Sequence, residues 1–234
     1  FAESWKHTWS VATFTDLGDG RTNLRLAGLG YTAQEQDQKM RVFFEAGNAW
    51  VMKNLQANYD KDVKPAAPGS AHAQDLLAPI VTEVTVRAPR EDVWRSISTS
   101  AGWKHFLGTE SKMELRPGGP FEVYFKADAP AGQRGSEGCT VLSYVPKEML
   151  SFTWNTPPQF AYARTQHTWV VVTLESLGAG STKVRLQHMG FTEHAAKGHE
   201  DEWRGVRAYF VNAWGLVTGE LKKHHEGAAR NASQ

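Results

Sequence analysis

The sequence predicts an α+β fold in which a strongly curved antiparallel sheet wraps around a long C-terminal helix, preceded by a partial second copy made of two strands and a helix. Three observations lead there. A segment near the start recurs near the end, short strand-like runs punctuated by Gly and Pro fill the middle, and an apolar stripe at helical spacing closes the chain.

The recurrence comes first. His7-Thr8-Trp9-Ser10-Val11-Ala12-Thr13 reads against His167-Thr168-Trp169-Val170-Val171-Val172-Thr173, and positions 7–32 laid ungapped on 167–192 are identical at 13 of 26 places. After a small length difference, Asn48-Ala49-Trp50 falls on Asn212-Ala213-Trp214. Each copy reads as two strands joined by a Gly turn (Asp19-Gly20; Ala179-Gly180) and followed by a long helix. Residues 1–62 are therefore expected to form the C-terminal half of a first domain. A linker follows at 63–78, where Pro65-Ala66-Ala67-Pro68-Gly69 ends any helix. Residues 79–228 form the complete domain, and 229–234 a small polar tail.

In the complete domain, Ile80–Val86 alternates as a strand with Ile80, Val84 and Val86 on one face. Pro89 stops it, and Val93, Trp94 and Ile97 then have helical spacing. Residues 100–107 give a second short helix or turn. Strands are expected at 113–115, 121–125, 138–145, 150–154, 168–174 and 183–188, an antiparallel meander separated by Gly/Pro turns. Over 200–225, Trp203, Val206, Phe210, Trp214, Val217 and Leu221 recur at three- and four-residue steps. A curved sheet cannot bury its concave face alone, so this helix is expected to lie across it and to leave a cavity.

Composition narrows the functional classes. Lys+Arg (26) and Asp+Glu (25) nearly cancel to a formal +1, which provides no field to draw nucleic acid. The longest apolar run, around 169–174, is far short of a membrane span. Cys139, the lone cysteine, has no disulfide partner within the chain. With no signal-peptide pattern the expected location is cytoplasmic, although a chain headed by Phe1 rather than Met leaves a secreted origin open. No Gly-rich phosphate loop, Gly-x-Ser-x-Gly elbow, His-Glu-x-x-His or Cys-x-x-Cys pair occurs.

The residues Ile80…Val86-Arg87-Ala88-Pro89-Arg90-Glu91-Asp92-Val93-Trp94, then Arg116-Pro117-Gly118-Gly119-Pro120-Phe121, Gly138…Pro146…Leu150-Ser151-Phe152-Thr153-Trp154 and Lys183–Phe191 resemble the SRPBCC superfamily of START, polyketide cyclase and birch-pollen-allergen type. Within it they are most similar to bacterial domains like the C-terminal domain of the activator of the ninety-kilodalton heat-shock chaperone's ATPase. The resemblance spans the complete domain, and residues 1–62 match only the family's C-terminal half. It implies a helix-grip (START-like) fold with a hydrophobic tunnel, neither metal nor cofactor, and a stress- or chaperone-related setting.

Trp103, Phe121, Trp154, Trp169, Phe191, Trp203, Phe210 and Trp214 are the candidate lining of a cavity for a small apolar ligand, against the plainer reading that they fill a core. His188, in phase with Val184 and Leu186, points to the concave face and could anchor a polar end or carry a proton, or be a hydrogen-bonded structural histidine. The pairs His7/His167 and Arg25/Arg185 read as structural. His194, His199, Glu200 and Asp201 do not have a ligand spacing, and acids at a helix start suit its dipole.

Three functions fit. The first is a non-enzymatic binding module. The second is a cyclase or aromatase in which His188, with Tyr162 or Arg164, moves protons. The third is a co-chaperone or other interaction module, in which the second domain, a second chain in a homodimer, another protein or upstream sequence covers the apolar face of the partial copy.

Overall fold

The computed structural model describes residues 6–18, 20–59, 78–191 and 197–231, with side chains through 227. Asp19, His194, the expected linker short of Ala78 and the last residues of the tail lie outside them. The chain divides into two compact units, 1–69 and 70–234.

In the first unit, β1 (Trp9–Asp16) and β2 (Thr22–Leu29) form an antiparallel hairpin followed by α1 (Glu35–Tyr59). Asp37, at the start of α1, is fully buried. It accepts hydrogen bonds from the Thr32 N–H (2.8 Å) and hydroxyl (2.6 Å) and lies 2.8 Å from His7 Nε2. The helix start is thereby fastened to the hairpin end.

The second unit runs β3 (Ile80–Val86), α2 (Arg90–Ser98), α3 (Ser100–Leu107), β4 (Glu110–Met113), β5 (Phe121–Tyr124), β6 (Val141–Val145), β7 (Met149–Trp154), a 3-10 turn (Ala163–Thr165), β8 (Thr168–Ser176), β9 (Thr182–Met189) and α4 (Glu200–Asn231). Five strands pair antiparallel in the order β3-β9-β8-β7-β6. The β4–β5 hairpin continues this sheet through the Pro120–Thr140 bridge and the bonds Phe121 N–H to Cys139 O and Val141 N–H to Gly119 O, both 2.8 Å. The architecture is α+β, with a curved antiparallel sheet and a long C-terminal helix as in a helix-grip fold.

Differences from the sequence expectation are local. Of the strand expected at 113–115 only Met113 is in one, as the last residue of β4: the Arg116 N–H turns back to Glu114 O, and Gly119 packs against that same carbonyl. The strand expected from 138 starts at Val141: the Thr140 N–H goes to the Thr153 hydroxyl at 2.8 Å rather than to a backbone carbonyl, and an irregularity in the β6–β7 register follows. Residues 226–231, the first three of the expected tail included, continue α4.

Register sets the concave face. Phe152 pairs with Val170, Val170 with His188 and His188 with Ile80, so one row across four strands points inward. Against it α4 presents Trp203, Val206, Phe210, Trp214, Thr218, Leu221 and His225, all buried at the spacing of a single stripe. Its far end meets α2, where His225 Nε2 lies 3.1 Å from Ser96 Oγ, and burial holds the His225 pKa below its ordinary value.

Candidate functional site

His188 is the polar residue at the centre of the sheet–helix contact, fully buried on β9. The indole Nε1–H of Trp214 donates to its Nδ1 at 2.9 Å. With Nδ1 accepting, Nε2 carries the proton and donates to Thr168 Oγ1 at 2.7 Å, and that hydroxyl passes its own hydrogen to the Trp154 carbonyl at 3.0 Å. Every polar atom of the chain Trp214–His188–Thr168–Trp154 is satisfied. Burial, then the nearby Arg207 charge, pulls the His188 pKa down to about 3, so the ring is neutral near pH 7. Both nitrogens are committed to helix and sheet.

Seven of the eight aromatic candidates join His188 in one path of ring contacts. Trp103 meets Phe121 (6.0 Å between centroids), Phe121 stacks on Phe152 (3.9 Å), Phe152 meets Trp154 (5.6 Å) and Trp154 meets Trp214 (5.2 Å). Phe210 stacks on Trp214, while Phe191 lies between His188 and Trp203. Trp169 is the exception. Thr168 and Val170 take the inward positions of β8, so Trp169 faces outward at 39% exposure, its ring over Gly190.

Two spaces flank Trp214 and Val217. An internal void of about 30 Å³ lies between α4 and the sheet beside Trp103 and Phe152, roughly the room of one water molecule. A larger pocket of about 320 Å³ opens on the other side, and Trp154, Phe210 and Trp214 line its apolar part. Tyr209, Ala213 and Val217 of α4 form one wall, residues 155–159 after β7 a second, and Phe125, Lys126 and residues 133–136 the third.

Arg164 holds two of these walls together. Its guanidinium donates to Gly132 O (2.6 Å), Gly135 O (3.1 Å) and Thr156 O. Gly135 lets its loop lie close against β5: a Cβ there would sit 2.0 Å from Val123 O. Tyr162 stacks on His199 at 3.5 Å, and neither residue lines the pocket. Glu200 accepts from the Gly198 N–H at the start of α4. Among the described residues, no three His, Cys, Asp or Glu side chains gather as a metal site. Arg185 pairs with Glu83 at 2.6 Å on the solvent face, and burial pushes the Cys139 thiol up to about 12.

The sequence reading missed most of the pocket's polar wall. Asn155, Thr156 and Gln159 follow a strand end marked only by Pro157-Pro158, and Gln133 to Ser136 sit in a Gly-rich loop.

The family model for activator of Hsp90 ATPase homolog 1-like proteins matches residues 87–226, which hold every strand of the second unit except β3 and most of α4. The chain belongs to that family. No curated protein matches it at a significant level. Among solved structures, this activator-like chain is similar to protein MLL2253 from Mesorhizobium loti at 22% identity and TM-score 0.49, covering 62% of this chain and 95% of that one. It is also similar to NE0264 from Nitrosomonas europaea at 18% identity and TM-score 0.48, covering 67% and 98%. BH1534 from Bacillus halodurans is 24% identical, with TM-score 0.46 and coverage of 64% and 97%. Among the described residues of this family member, no helix is long and apolar enough to cross a membrane.

Proposed function

We propose that this activator-like protein is a non-enzymatic binding module that takes a small apolar ligand in the pocket beside α4. The observation that carries the reading is the pocket of about 320 Å³ with Trp154, Phe210 and Trp214 on its apolar side. Ligand sites typically start at about 300 Å³ and combine an apolar surface with a few polar groups. Burial of ligand surface at about 25 cal/mol per Å² would drive association.

The cyclase alternative loses its proton carrier. A general base needs a free lone pair within reach of the substrate, whereas both His188 nitrogens are engaged and the residue lines neither space. Arg164 directs its donors at carbonyls and Tyr162 is stacked away from His188. Calorimetric titration with naphthalene and nonan-1-ol tests the binding reading. Saturable binding of at least one is expected; no binding of either would overturn it.

A second reading concerns residues 1–62 as the C-terminal half of another copy, used for protein interaction. Its support is α1, where Val42 and Trp50 are 65% and 68% exposed. A second copy of the chain, or another protein, would cover them. Light scattering is expected to give a mass above the monomer that Trp50→Glu reduces, and a monomer in both would remove homodimerisation.

A further inference from the structure

We propose that the pocket's ligand is an amphiphile with an acidic end, its apolar body against Trp154, Phe210 and Trp214 and its carboxylate or similar anion at the mouth, between Lys126 and Arg134. This rests on reading the pocket as a ligand site and adds the ligand's chemical class.

The argument begins with charge. Two charged residues line the pocket, Lys126 and Arg134, and both are cationic; no Asp or Glu is among the described lining residues. They are held at one edge because the Lys126 N–H donates to Arg134 O at 2.9 Å across the loop that follows β5. Among the described residues Lys126 makes no ion pair, and its side chain stands exposed. Arg134 is oriented by Ala129 O at 3.3 Å, with Glu137 at the outer limit of pairing, 3.8 Å. Glu137 is turned into the loop, where it accepts the N–H groups of Gly132 (2.9 Å) and Arg134 (2.8 Å). Behind this wall Arg164 adds a third cation on the carbonyls of Gly132, Gly135 and Thr156.

Ligand chemistry follows from that asymmetry. A neutral ligand long enough to reach the mouth would strip water from two cations and return nothing, whereas an anionic end gives each a charge-assisted partner. The amides of Gln133 and Gln159 also line the pocket, while that of Asn155 is turned to the Glu137 carbonyl at 3.0 Å. At about 30 Å³ per water-sized group, 320 Å³ admits a body of roughly ten non-hydrogen atoms, the size of a medium-chain or aromatic acid.

Calorimetry on the full chain with size-matched octanoate and nonan-1-ol at pH 7.5 tests this. Octanoate is expected to bind about tenfold more tightly, a preference that added salt weakens. Lys126→Ala, at an exposed side chain, should reduce octanoate affinity about tenfold while leaving nonan-1-ol within about twofold, and adding Arg134→Ala should abolish the preference. If nonan-1-ol binds as tightly as octanoate, or Lys126→Ala leaves octanoate affinity unchanged, the acidic end is wrong and the pocket reading stands. If neither ligand binds, the pocket reading itself fails.

Discussion

The hairpin and helix at the start of the chain and those at its end share a sequence motif and part with it at the helix. In both hairpins a glycine with positive φ ends the second strand, Gly30 at 82° and Gly190 at 98°. A tryptophan ring from the first strand lies on each: a Cβ on Gly30 would sit 2.7 Å from Trp9, and one on Gly190 2.8 Å from Trp169. The helices differ. Trp214 and Val206 are buried at 2% and 0%, whereas Trp50 and Val42, which the Asn-Ala-Trp match sets on them, are more than half exposed. The shared motif goes with the same strand end in both, whereas the buried helix face goes with the five-stranded sheet of the second unit. His188 makes the same point, since the polar chain it centres exists where a full sheet faces the helix, and Gly28 stands at its place in the hairpin.

The strongest way to break the comparison is to truncate the matched tryptophans. Trp214→Ala should cost about 3–5 kcal/mol, from the void it leaves and the Nδ1 it unpairs, while Trp50→Ala should stay within about 0.5 kcal/mol in urea unfolding at concentrations where the chain is monomeric. Similar losses would mean the two helices are equally packed.

Next is pH. The folded pKa of His188, about 3, lies below the ordinary value near 6.5, so between them the unfolded chain binds the extra proton. This contribution to stability is complete above about pH 6.5 and falls by about 1.4 kcal/mol per pH unit as pH drops toward the folded pKa. His225 acts with the same sign. His188→Gln should flatten the acid limb of a stability–pH curve; an unchanged slope would mean the imidazole titrates normally.

Gly30→Ala and Gly190→Ala sharpen the shared part: each should destabilise its own unit by about 1–3 kcal/mol, from positive φ and the ring overhead. An effect in one and not the other would show that the two strand ends differ. The smallest effect expected is that of Arg164→Met, about 1 kcal/mol of stability from lost bonds to carbonyls, with a severalfold weaker ligand as the pocket walls loosen.

Element order and the α4 stripe were legible because periodicity is local: Trp203 through Leu221 announce one helix face, and the phase of Val184 and Leu186 carries His188 inward. Trp169, a candidate for the cavity lining, faces outward; 168–174 is apolar at both parities, so alternation cannot choose its side, and pairing with β7 and β9 does. The polar wall of the pocket could not be read at all. Lys126, Gln133 and Asn155 come together only once β5 and β7 are in register, and Arg164 reaches Gly132 across 32 residues.

The most direct test puts bulk into the space beside α4. Ala213 forms part of the pocket wall and is half-buried, so Ala213→Phe projects a ring into the pocket without opening the core. Calorimetric titration with octanoate should give saturable binding to the native chain and none to a variant of unchanged unfolding midpoint. Equal affinity in both would contradict the account.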